Sequence, residues 1–210
     1  MPKPLTVWGR ANSVNVMKVL WLLDELALPF DRVDAGGAFG HTRDADYLAM
    51  NPNATVPTLV MPHGYTLWES HAILRYLCRT QPGGNLFYPE APEARADAER
   101  WMDWTLAALN DPMRVVFWTL VRTPEAERDM AACEAARAAA ERLWRIAEAQ
   151  LQGRDHIAGP FGLADMAMGG FLHRWYALPI RRPELPRLRA WYERLLARPP
   201  YAKHVAVPLS

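Results

Sequence analysis

The spacing of apolar residues changes along the chain, and each change predicts an element. Residues 5–8 (Leu-Thr-Val-Trp) are a short β-rich run ended by Gly9. From 14 to 26, Val16, Val19, Leu20, Leu23 and Leu26 recur at helical spacing, and Pro29 stops the pattern. A second strand follows over 30–33, then a flexible Gly36-Gly37-Ala38-Phe39-Gly40 loop. Residues 58–61 and 65–68, joined through Pro62-His63-Gly64, read as a β-hairpin, and a helix follows over 70–79. The predicted order is β-α-β-α-β-β-α. Its first crossover helix implies that the first two strands pair in parallel.

Beyond this point the strand signals end. Gln81-Pro82-Gly83-Gly84-Asn85, with Pro89 and Pro92, reads as a linker over 81–92 between a domain at 1–80 and a helical domain at 93–210. In the second domain the pattern predicts helices over 93–110 (stopped near Pro112), 113–122, 126–151, 163–177 and 185–198. The Ala-rich stretch reads as high helix propensity, not disorder.

Composition narrows the options. Half of the 210 residues are hydrophobic and 22% are charged, as in an ordinary soluble globular protein. The net charge of +1 provides no global field for nucleic acid or an anionic membrane. No apolar run reaches the roughly 20 residues of a membrane span. The segment from Met1 to Trp8 lacks a signal-peptide core and reads directly as a strand. Cys78 and Cys133 stand far apart in helical patterns, which points to a reducing compartment, most simply the cytosol. The six histidines are scattered, so no metal site is expected. The turn from Gly9 to Val16 has no cysteine for thioredoxin chemistry, and no Gly-x-Ser-x-Gly hydrolase elbow is present.

Three local motifs carry more. They are Ser13-Val14-Asn15-Val16-Met17-Lys18-Val19 after the first strand, Thr55-Val56-Pro57-Thr58-Leu59 entering the third, and Trp68-Glu69-Ser70-His71-Ala72-Ile73 entering a helix. In this order, with an α/β domain before a helical one, the chain resembles the cytosolic glutathione transferase family over nearly its whole length. The serine-type theta, zeta and nu-like bacterial members are the nearest in pattern. The resemblance implies a thioredoxin-like N-terminal domain followed by an all-α bundle, glutathione as co-substrate, a small hydrophobic electrophile as second substrate, and a homodimer. It leaves open glutathione-dependent disulfide reduction, as in nu-like members, glutathione-dependent isomerisation, and a catalytically silent scaffold role.

The chemistry asked of these motifs is specific. A free cysteine thiol, with pKa near 8.5, is only about 3% thiolate at pH 7. Lowering that pKa by about two units takes about 2.7 kcal/mol of differential stabilisation. A hydroxyl at a helix N-terminus suits the task, because its hydrogen bond and the helix dipole both favour the anion. The resemblance gives this role to Ser13, with the Asn15 amide as a second donor. Read locally, Ser13 would be only a helix cap. The resemblance also implies a cis Val56-Pro57 bond that presents the backbone at Thr55 and Val56 to glutathione. Glu69 and Ser70 would take the γ-glutamyl ammonium and carboxylate. His41 would approach the glycine carboxylate. Asn12, Phe39, Met113 and Phe117, with the tail around His204, are expected at the second-substrate site.

Two further expectations concern packing. His71, Leu74, Arg75 and Cys78 share a helical face that would be left for a partner helix, with Asp97, Trp101 and Trp104 as its counterpart. The family usually begins the helix after Phe161 with a Ser or Thr three residues before an Asp. Here Gly162 precedes Asp165, so a looser helix start is expected.

Overall fold

The computed structural model describes residues 4–210; the first three residues of the N-terminal reading lie outside the described range. Four strands form one mixed sheet in the order β2-β1-β3-β4: β1 (Leu5–Trp8), β2 (Phe30–Val33), β3 (Thr58–Val60) and β4 (Thr66–Trp68). β1 pairs in parallel with β2, Leu5 opposite Phe30, and antiparallel with β3, Val7 opposite Leu59. Val7 and Leu59 are fully buried, as central strand residues facing a helix layer should be.

The helices of the first domain are α1 (Val14–Glu25), α2 (Ala45–Met50) and α3 (Ser70–Thr80). The glycine loop holds a short 3₁₀ turn, Gly37–Phe39. The second domain is formed by α4 (Pro92–Trp104), α5 (Asn110–Phe117), α6 (Met130–Gln150), α7 (Leu163–Ala177), α8 (Pro186–Leu196) and α9 (Pro199–His204).

Two elements differ from the reading of the sequence. Pro112 does not stop a helix: π-helical turns at Thr105–Leu109 and Trp118–Arg122 flank α5 and keep the chain helical from Pro92 to Arg122. A proline lacks the N–H that the carbonyl one turn earlier requires, and a wide turn just ahead absorbs the mismatch. The C-terminal helix α9 adds to the predicted set; its six residues are too few to show a period in the sequence.

α1 and α7 join the two domains by close approach. A methyl on Gly170 would stand 2.4 Å from Val14, and one on Gly169 would stand 2.7 Å from the Trp21 ring. Only hydrogen at those two positions lets the helices meet. The far end of α1 is clamped by α9: Arg198 makes a bidentate pair with Glu25 at 2.7–2.8 Å, and Lys203 and His204 both reach Asp24 at 2.7 Å.

The face of α3 expected to be free is not free. His71, Leu74 and Cys78 are buried within the protomer, as are Ile73 and Leu77, and only Arg75 of the expected set reaches solvent. A helix wedged between the sheet and α7 has two buried sides, which a single-face reading misses. Trp101 is also buried. The α7 start, expected to be loose, is tightly held. The buried Asp165 carboxylate accepts from the Gly162 N–H at 3.0 Å, the Ile157 N–H at 3.1 Å and the Trp191 indole at 2.8 Å. Gly162 is required by space: a methyl there would stand 2.5 Å from the Phe87 carbonyl oxygen.

Candidate active site

Ser13 stands at the N-terminus of α1, in extended backbone, and its carbonyl already accepts the first helical N–H groups. Its hydroxyl makes no capping hydrogen bond. The side chain is nearly buried and opens on a small cleft of about 140 Å³ between the α1 start and the helices α5 and α7. Asn15 lines the same cleft. The Ser70 hydroxyl, at the start of α3, is 3.5 Å from Asn15 Oδ1, a long contact that ties the α1 and α3 N-termini together. With Oδ1 turned to Ser70, the Asn15 amide NH₂ is left for another acceptor.

Glu69 precedes α3 with φ +71°, a conformation that L-residues with a side chain rarely adopt. Its side chain is exposed, and it is the charge that most favours the ammonium form of Lys18. Such a strained backbone, held by its surroundings, suits a residue whose position matters more than its own comfort.

The Val56-Pro57 peptide is cis. The preceding turn is pinned by a small polar network that sequence reasoning missed. The Thr55 carbonyl accepts from the Tyr47 hydroxyl at 2.6 Å and from the Asn51 amide at 2.9 Å. Thr58 Oγ1 meets both of those side chains, at 2.9 and 3.1 Å. Thr55 therefore gives its carbonyl to the scaffold, and among the described residues Val56 pairs neither backbone group with the chain. Three polar side chains spaced over residues 47–58 were the available signal.

His41 lies apart from the cleft, exposed, with φ +65° and an Asp44 carboxylate 2.9 Å from its Nδ1. The expected second-substrate residues divide. Phe117 lines the cleft. Asn12 is not in its lining; it accepts from the lining residue Arg10 at 3.4 Å and donates to the Ser210 carbonyl and hydroxyl at 3.2 and 3.0 Å. Met113 is fully buried in the core, and Phe39 is half-exposed on its 3₁₀ turn, outside the cleft. His204 pairs with Asp24 near the opposite end of α1, about 18 Å of helix away from Ser13. The part of the tail that touches a cleft residue is Ser210, whose carbonyl also accepts from Arg122.

Sequence reasoning missed the charge of the cleft. Arg10, Arg114, Arg122 and Arg174 line it, and no carboxylate does. A second buried cation lies behind it: Lys18 Nζ is 3.0 Å from His71 Nε2 and 5.7 Å from the centre of the Phe171 ring. Burial pushes Lys18 down to about 7, partly opposed by Glu69 and reinforced by Arg174. Burial also holds His71 well below its usual range, with Lys18 and Arg75 adding to the effect.

A four-stranded α/β domain with a cis-proline turn, followed by a helical domain whose α5 and α7 border a cleft at the α1 start, defines a thioredoxin-like domain joined to an all-helical one. The family models agree: "Glutathione S-transferase, N-terminal domain" matches residues 3–79 and "Glutathione S-transferase, C-terminal domain" matches 109–199. The chain belongs to the glutathione S-transferase family. It is 41% identical to glutathione S-transferase GstB of Escherichia coli K12, over 98% of this chain and all of the relative. The theta-class glutathione S-transferase of the citrus canker pathogen Xanthomonas axonopodis pv. citri, crystallised with glutathione bound, is 44% identical and superposes with a TM-score of 0.94 over the full length of both chains. A glutathione S-transferase of Pseudomonas fluorescens Pf-5 shares 25% identity at a TM-score of 0.84, covering 99% of each chain.

Proposed function

We propose that this protein is a glutathione transferase in which Ser13 donates to the glutathione sulfur, holds it as the thiolate and presents it to a small electrophile in the adjoining cleft. The observation that carries this reading is the Ser13 hydroxyl, which faces the cleft and is not used to cap its own helix. The Asn15 amide is the second donor. The helix dipole of α1 adds to both, since the positive end of twelve aligned peptides points at the sulfur.

The rest of glutathione lies along the first domain. Val56, with its unpaired backbone, meets the cysteinyl unit as a further strand would. Ser70 and the first N–H groups of α3 take the γ-glutamyl carboxylate, and Glu69 takes the ammonium. Thr55 acts through its pinned carbonyl by fixing that turn, and His41 serves the glycine end. The protein works as a homodimer in a reducing compartment. The exposed Trp68 on β4 and Tyr65 just before it, with the half-buried Trp104, offer the apolar contact for a second copy, in place of the buried α3 face. Two buried free thiols suit that compartment. Among the described residues no helix is long and apolar enough to cross a membrane.

The decisive measurement is the ultraviolet thiolate absorbance of bound glutathione against pH. Ser13→Ala should raise the bound thiol's pKa and slow conjugation at neutral pH by about 10–100-fold, less than the loss of a lone oxyanion donor because Asn15 and the dipole remain. An unshifted titration with conjugation intact would remove Ser13 from the chemistry. Glu69→Ala with undiminished glutathione affinity by calorimetry would remove the γ-glutamyl assignment.

A further inference from the structure

Arg174 is the least expected side chain in the cleft. It is 7% exposed, and its guanidinium carbon lies 3.7 Å from the centre of the Phe117 ring. A charge so buried is normally paired. Here the charges it feels most are other cations: burial, then Arg122, then Arg10, push Arg174 down to about 9, so it still carries its proton at pH 7. Arg122 is stacked near the Phe117 and Trp118 rings, and its side chain donates to the Ser210 carbonyl. The Nε atoms of Arg10 and Arg122 are both buried without an acceptor. Of the four arginines that line the cleft, Arg10 donates to Asn12 Oδ1 at 3.4 Å, Arg114 lies 3.7 Å from Asp111 and Arg122 donates to the Ser210 carbonyl, whereas among the described residues Arg174 has neither a hydrogen-bond nor an ion-pair partner and no carboxylate lines the cleft beside it.

We infer that the cleft beside Ser13 takes the anionic group of the second substrate, so that the electrophiles of this protein are small molecules bearing a carboxylate or similar oxyanion. This rests on the glutathione-transferase reading and narrows it, replacing a purely hydrophobic second substrate with a charged one. Guanidinium suits the task because its planar fork can grip both carboxylate oxygens, and the Phe117 face holds that fork flat. The reactive carbon of a molecule anchored in this way is presented to the sulfur beside Ser13. With an aryl chloride, the thiol proton has already left to solvent. The thiolate then forms a C–S bond to the ring carbon, and chloride departs with the electron pair of the broken C–Cl bond.

The test pairs 4-chloro-3,5-dinitrobenzoate with the corresponding benzamide, each rate divided by the spontaneous rate with glutathione. The wild-type protein should favour the carboxylate by about 10–100-fold in kcat/KM, the range expected of a charge-assisted hydrogen bond. The preference should shrink with added salt. It should fall towards unity in Arg174→Met and partly in Arg122→Gln. The second variant, at a half-buried site, carries the comparison if the first does not fold. A wild-type protein that conjugates the benzamide as well as the benzoate overturns the inference. Equal losses on both substrates in the variants also overturn it, because they place the arginines on glutathione or its thiolate instead. A protein that binds no glutathione by calorimetry loses the underlying reading as well. One that binds it and lacks the charge preference loses only the inference.

Discussion

Helices α1 and α7 lie against each other, yet their N-termini are put to opposite uses. The α7 start is tied down: the Asp165 carboxylate accepts from the Gly162 and Ile157 N–H groups and the Trp191 indole, the Leu163 N–H donates to the Phe87 carbonyl, and Gly162 fits under that carbonyl with no room to spare. At α1 the residue best suited to capping, Ser13, leaves its hydroxyl unused and facing a cleft rich in cations. One helix start is closed and holds the second domain together. The other is left open, its serine hydroxyl not spent on the helix. A capping-type residue at a helix start is therefore not assigned by its type; whether its hydrogen bond is spent locally decides.

The largest expected effect lies at the closed end. Asp165→Ala leaves two buried N–H groups and the Trp191 indole without their acceptor, and should cost about 3–5 kcal/mol of stability. Urea unfolding measures it, and a loss below about 1 kcal/mol would mean that the α7 start is not the closed structure described. Gly162→Ala should cost less, about 1–3 kcal/mol, since the added methyl meets a backbone oxygen that cannot turn away. If that variant is instead stabilised, the close approach to Phe87 is relaxed in solution.

Between the two ends lies Lys18, buried against His71 from α3, Phe171 and Arg174 from α7, and within the field of Glu69. Its folded-state pKa of about 7 lies below the unfolded value of about 10.4. Below pH 7 the folded and unfolded chains both hold the proton. Between about 7 and 10.4 only the unfolded chain binds it, so this group makes stability rise with pH through that window. Lys18→Met should abolish the rise and leave the variant more stable near pH 7, by up to a few kcal/mol, with the gap closing by pH 10. The difference between the two unfolding curves against pH isolates this group from Cys78, whose thiol burial pushes up to about 12. Parallel curves for the two proteins would show that Lys18 reaches solvent.

Much of this was legible from order and period. The strand-helix alternation and the turns carrying Ser13, Pro57 and Ser70 depend on local spacing, and local spacing is what a sequence displays. The cationic cleft was not legible, because Arg10, Arg114, Arg122 and Arg174 are scattered along the chain and converge only when α7 docks on α1. A faint signal existed: Arg174 is the lone arginine of the largely apolar α7, as Lys18 is the lone cation of α1. A charge in a stripe with no polar face has to be buried or functional. Met113 and Phe39 show the opposite limit. An apolar side chain in a helix or loop carries no mark that separates core from cleft, and these two went to the core and to solvent. The π turns around Pro112 were hidden because a proline in a helical run predicts a stop far more often than a widened turn.

The smallest expected effect is also the sharpest test of the open end. A serine that caps its helix typically contributes about 1 kcal/mol, lost on replacement by alanine. Ser13 makes no such bond, and its backbone supplies the helix-starting carbonyl whatever the side chain. Ser13→Ala should therefore shift stability by less than about 0.5 kcal/mol in glutathione-free urea unfolding. Conjugation in the same variant should fall by about 10–100-fold. The two numbers together separate the roles: a cap loses stability and keeps its rate, whereas a sulfur donor loses rate and keeps its stability. A Ser13→Ala protein destabilised by a full 1 kcal/mol with its rate unchanged would make the α1 start as closed as that of α7. The contrast between the two helices would then disappear.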